Sequence, residues 1–150
     1  MELSDLYSQK ILDLAGNARQ PPRLADPDAS ARKVSRVCGS VIDVDIVVRH
    51  GVIADYGHAV TACALGQTSA AVVAREIVGT PVDEFRRVHQ QMHTMLKENG
   101  APPQGKWSDL AYLEPVRDYR ARHLSTLLVF DAVVEALEKI ESTESVTAVG

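Results

Sequence analysis

Thiols have the widest chemical range of any group in this chain, and it carries two, Cys38 and Cys63. As thiolates they hold soft metal ions or carry sulfur, and as thiols they fill small gaps in a core. Cys38 lies in VCGSVIDVD, where Gly39 lets the backbone turn tightly and would leave the thiol at a strand corner. Cys63 follows an extended run and precedes a helical one. A thiolate at a helix N-terminus is stabilised by the free backbone N–H groups and the helix dipole. The stretch between the two cysteines is one hairpin long. Two antiparallel strands return the chain to the end it left, so the thiols can approach each other.

Other groups offer less. His89 and His93 stand one turn apart on a helical stretch, the spacing of metal-binding helices, but only Gln90, Gln91 and Met92 lie between them. With no acid there, the pair reads as a solvated helix face. His58 sits mid-strand and reads as structural or exposed. Asp43 and Asp45 alternate on a strand and read as its wet side. A nucleophile motif, a phosphate loop and a dinucleotide fingerprint are all missing from the sequence.

The elements that must position the cysteines are legible from periodicity. Apolar residues at helical spacing predict a first helix over 4–15, with Ser4 as N-cap and Gly16 as stop. Residues 17–32 carry three prolines and read as loop. A short strand is expected over 33–38. A clear strand follows over 41–50 and another over 52–61, joined by a hairpin turn at His50-Gly51. The period changes at Cys63 to a helix that Gly79 and Pro81 end. An amphipathic helix covers 83–97, a Gly/Pro-rich loop 99–108, a short helical turn 110–114 and a strong helix 124–140. Residues 1–140 are expected to form one domain and 141–150 a flexible tail. Strands in one run followed by helices in another predict an α+β layer, a three-stranded antiparallel sheet packed against several helices.

Composition narrows the function. A chain of 150 residues, 45% of them hydrophobic, buries about 70% of its unfolded surface without a staple. Sixteen Lys and Arg against twenty Asp and Glu give no basic footprint, so nucleic acid is not an expected partner. The apolar runs are too short to cross a bilayer, and residues 1–10 do not have a signal-peptide pattern. The expected location is the cytoplasm, where two cysteines remain reduced.

Three segments in order resemble a known family. VCGSVIDVDIVV is similar to a Cys-Gly-Asp segment followed by an alternating strand. GVIADYGHAVTACALGQTSAA is similar to a strand that leads into a Cys and then a run of Ala and Ser. LEPVRDYRARHLSTLLVFDAVVEAL is similar to the segment that opens the last helix with a third Cys; Glu114, Val116, Arg122, Leu128 and Phe130 stay in step with it. The family is that of the NifU, IscU and SufU iron–sulfur cluster assembly scaffolds, and the interval from Cys63 to Ser125 suits the SufU-like branch. The resemblance implies a non-enzymatic scaffold whose metal ligands are three Cys and one Asp, here Cys38, Ser40, Cys63 and Ser125. Ser40 stands in place of the Asp and Ser125 in place of the third Cys. The first helix also lacks the Asp-His-Tyr common in the family.

A serine hydroxyl is a neutral, hard donor, whereas thiolates hold clusters and structural zinc. A tight zinc site is therefore not expected, and the implied cargo is a transient iron–sulfur cluster. His123, two residues before Ser125, offers either an extra ligand or a solvent-facing or capping residue. A homodimer would bring four thiolates together. The implied partners are a cysteine desulfurase and apo iron–sulfur acceptor proteins. Two other roles remain open: a metal-free persulfide acceptor that relays sulfur from the desulfurase, and a degenerate, regulatory member of the family.

Overall fold

Strand β2 (Ser40–Arg49) is the central strand of the sheet. Its alternation of Ile42, Val44 and Ile46 puts branched side chains on one face, where they are all but fully buried. In the computed structural model, which describes residues 8–17, 20–36 and 39–149, β2 is flanked by β1 (Ala29–Ser35) and β3 (Val52–Thr61) in an antiparallel sheet ordered β1-β2-β3. The β2–β3 turn is His50-Gly51, both at positive φ (53° and 74°), as a two-residue hairpin requires.

Among the described residues, four α-helices pack with the sheet. α1 (Gln9–Gly16) begins at Ser8, whose Oγ accepts from the Ile11 N–H at 3.3 Å. The cap expected at Ser4 lies outside the described residues, and Gly16 is the last helical residue before Asn17. α2 (Ala64–Glu76) is buried on nearly all sides, which its small residues permit. α3 (Val82–Lys97) buries Phe85, Val88, Met92, Met95 and Leu96. A 3₁₀ stretch, Gly105–Asp118, lengthens the helical turn expected at 110–114. α4 (His123–Val149) lies along β1 and β2 and against α2, and it continues past Ile140, where a tail was expected. Phe85 sits between Trp107 and Phe130, with ring centroids 5.9 and 6.0 Å away.

β1 starts four residues earlier than its sequence suggests, at Ala29, because its partner register with β2 (Ala29 opposite Ile46) supplies what its own composition does not. The second face of the sheet also corrects the sequence reading. Asp43 is partly exposed and paired with Arg32 at 3.0 Å, but Asp45 is 1% exposed and is not a wet-side residue. Arg23 grips it from two nitrogens at 2.5 and 2.9 Å, the Leu24 N–H donates to it at 3.0 Å, and the Ser30 hydroxyl donates at 2.5 Å. The Arg23 hydrogen bond holds the Asp45 carboxyl below its ordinary range despite its burial. The loop before β1 is thus tied down onto the sheet.

Gly57, opposite Asp45, makes room for that loop. A Cβ there would stand 2.2 Å from the Pro22 carbonyl oxygen. Gly57→Ala is therefore expected to destabilise the fold by about 1–3 kcal/mol, read as a lower urea midpoint with unchanged m-value.

His58, next along β3, is buried rather than exposed. Burial, reinforced by the Asp45 charge, keeps the Tyr56 phenol protonated, and its hydroxyl shares a hydrogen bond with His58 Nδ1 at 2.9 Å. Burial pushes the His58 imidazole down to about 4. Below its ordinary value of 6.5 the unfolded chain takes up a proton that the folded chain refuses, so stability is lost as pH falls from about 6.5 to about 4. The loss should reach about 3 kcal/mol, and denaturant melts of His58→Gln should be nearly flat over the same window.

Candidate functional site

Strand pairing sets the position of the site. Ser35 pairs with Ser40, and Val41 pairs with Thr61, so the β1–β2 connection and the exit of β3 share one end of the sheet. Cys38 lies in that connection but outside the described residues. Its neighbour Gly39 has φ +68°, the left-handed turn that glycine adopts at little cost. Ser40 is buried as the first residue of β2.

Two residues past β3 the chain reaches Cys63, the N-cap of α2, with extended backbone (φ −68°, ψ 172°). Its side chain makes no cap hydrogen bond. The sulfur instead lies 3.5 Å from the Ser125 hydroxyl oxygen, 62 residues away on the first turn of α4. Cys63 is partly exposed and Ser125 is buried. The N-terminal end of α2 carries the positive pole of its dipole, the sign that suits anionic sulfur.

Gly66 permits this contact. A Cβ on it would meet Ala62 Cβ at 2.9 Å and the Ser125 carbonyl oxygen at 3.2 Å. The first turns of α2 and α4 therefore touch backbone to backbone. The Ser125 and Thr126 hydroxyls donate back to the Arg122 carbonyl at 3.3 and 2.8 Å, which fixes the start of α4.

His123 is buried with its Nε2–H shared between the carbonyls of Val116 (3.0 Å) and Arg117 (3.1 Å). The solvent-facing reading is corrected by this burial, and Nε2 fastens the 3₁₀ stretch to α4 as a capping residue does. The structure therefore brings Cys63 and Ser125 together, sets Ser40 at the same sheet end and holds His123 Nε2 on backbone carbonyls.

The reading of His89 and His93 as a solvated face needs correction. Both are half-buried, and both Nε2 atoms bond the same oxygen of Asp131 on α4, at 2.9 and 2.8 Å. The acid absent between the two histidines comes from the neighbouring helix. Its signal in the sequence is a lone carboxylate within the apolar run LLVFDAVV.

Comparison with known proteins identifies the family and the fold. The pattern of the NifU-like N terminal domain matches residues 6–125. The iron-sulfur cluster assembly scaffold protein IscU of Thermotoga maritima is 26% identical over 135 residues, 90% of this chain and 94% of that one. The crystal structure of a nitrogen-fixing NifU-like protein (N-terminal) from Brucella abortus superposes with a TM-score of 0.90 at 48% identity, covering 93% of this chain and 97% of that one. A putative SufU scaffold protein from Fervidobacterium islandicum shares the fold alone, with a TM-score of 0.82 at 18% identity over 91% of this chain and 99% of that one. The family pattern covers most of the chain and the fold superposes on a family structure over 93% of it, so the chain belongs to the NifU-like N-terminal domain family.

Proposed function

We propose that this protein is an iron–sulfur cluster assembly scaffold that holds a nascent cluster through Cys63 and Cys38 and passes it on. The reading is carried by one contact, Cys63 Sγ to Ser125 Oγ at 3.5 Å, which joins two positions that the family resemblance assigns to ligands. Sulfur arrives from a cysteine desulfurase as persulfide on a thiol, and the assembled cluster leaves for apo acceptor proteins. The protein contributes binding rather than turnover.

The donor set explains the lability this role needs. A cluster is held by four thiolates, and one chain provides two. Ser40 and Ser125 offer neutral, hard oxygens in the other two positions, so a single chain grips its cargo weakly. Two chains sharing one cluster would supply four thiolates. The same donor set does not fit a tight four-coordinate zinc site, which uses Cys and His ligands, and no step runs through zinc.

Anaerobic reconstitution with ferrous iron, cysteine, a cysteine desulfurase and a dithiol reductant, which reduces the persulfide sulfur to sulfide, tests the reading. Cluster absorption and acid-labile sulfide should appear in the native chain and vanish in Cys63→Ala. Ser125→Cys, kept under reductant, should slow cluster transfer to an apo-ferredoxin by about tenfold or more, because a third thiolate then stands beside Cys63. No cluster in the native chain would refute the scaffold. Metal-free protein with persulfide on Cys63 by mass spectrometry would establish the sulfur relay instead, a reading that the two serines favour.

A further inference from the structure

We infer that His89, His93 and Asp131 form a second metal site, for a divalent first-row transition ion, distinct from the cysteine site. The three ligand atoms lie within 4.8 Å of one another, and the two imidazoles tilt together with centroids 4.7 Å apart. Two His nitrogens and one carboxylate oxygen form an N2O set suited to zinc or ferrous ion. About 2.0–2.1 Å metal–ligand bonds in a tetrahedron separate the ligands by about 3.3 Å. The observed 2.8 and 2.9 Å gaps need to open by only about half an ångström, a side-chain adjustment.

Position and charge support the assignment. The histidines sit one turn apart on α3, and Asp131 faces them from α4, so two packed helices hold the set. The three side chains are 23%, 30% and 25% exposed, leaving one side open to solvent for entry and for a fourth ligand. His89 and Asp131 line a cavity of about 270 Å³ together with Lys33, Glu135 and Glu138. Three carboxylates against one ammonium make that cavity anionic, and Lys33 is already paired with Glu135 at 3.1 Å. When the ion binds, it replaces the two N–H···O bonds and each ring proton moves to Nδ1. Asp131 lies six residues beyond Ser125, roughly 9 Å along the helix axis, so an ion here is separate from the Cys63 cargo.

The experiment uses the full chain carrying Cys38→Ser and Cys63→Ser, so that no thiolate contributes; serine is itself a good N-cap at position 63. Titration with Co2+ should give tetrahedral visible bands without thiolate charge transfer, saturating at one ion per chain, and Zn2+ should displace them. His93→Gln, which keeps a donor toward Asp131, should weaken binding at least about tenfold, and Asp131→Asn should do the same. Circular dichroism checks the fold of each variant. Independently of any variant, imidazole 1H–15N spectra of the cysteine-free chain should show the His89 and His93 Nε2 resonances shifting on Zn2+ addition. Absence of binding, binding unchanged in folded His93→Gln, or shifts confined to other histidines would overturn the site. None of these results bears on cluster assembly, which the cysteine-free chain does not perform.

Discussion

A cysteine at the end of one strand and a serine at the start of a distant helix touch only if two helix ends can be brought backbone to backbone. Gly66 meets that requirement. A methyl group at this position would press on Ala62 and on the Ser125 carbonyl, forcing the first turns of α2 and α4 apart. Helix interiors disfavour glycine by about 1 kcal/mol relative to alanine, so the residue costs α2 some intrinsic stability in exchange for the close approach. The rest of the sheet end follows from that contact. α4 can lie along β1 and β2 while its first turn stays beside Cys63, and His123 and Thr126 then lock the helix start to the chain that precedes it.

The sheet supports this from the other side. Pairing of Ser35 with Ser40 and of Val41 with Thr61 places the β1–β2 connection beside the exit of β3. The register is held by the Ile42-Val44-Ile46 face inside and by Asp45 outside. A buried carboxylate is costly unless every lone pair is used. Here two arginine nitrogens, a backbone N–H and a hydroxyl use them, so the Asp45 cluster orders the loop before β1. Because Gly57 faces Pro22, steric room on β3 also governs how well that loop seats.

Periodicity made most of the fold legible. The β2–β3 hairpin, its His50-Gly51 turn, the helix after Cys63 and the amphipathic α3 all carry local signals, and the structure places them within a residue or two of the expected bounds. What periodicity does not carry is partnership across the chain. Ala29–Ser35 pairs as a strand because β2 offers a ladder, not because its residues favour one. Asp45 read as wet because Arg23 lies 22 residues upstream in a stretch without periodicity. His89 and His93 read as exposed because their acid sits 42 and 38 residues later on another helix. For the site, chain order placed Cys63 at the helix start, but the contact with Ser125 needed Gly66, whose role no spacing rule announces.

The chemistry of the sheet end then turns on which atoms fill a fixed geometry. The fold holds the Cys63 and Ser125 side chains in contact. A thiolate at position 125 would share soft, charged donation with Cys63, whereas a hydroxyl shares only a hydrogen bond. Ser125 already spends its proton on the Arg122 carbonyl, so it approaches the sulfur as part of the helix start rather than as a free ligand. Cys63, by contrast, is the N-cap whose side chain caps nothing. A residue that gives up the usual work of its position, at a helix end whose dipole favours anions, keeps its sulfur available for bonding elsewhere. That availability is common to the cluster scaffold and to the sulfur relay. The two roles part at whether the thiols hold metal or only persulfide sulfur.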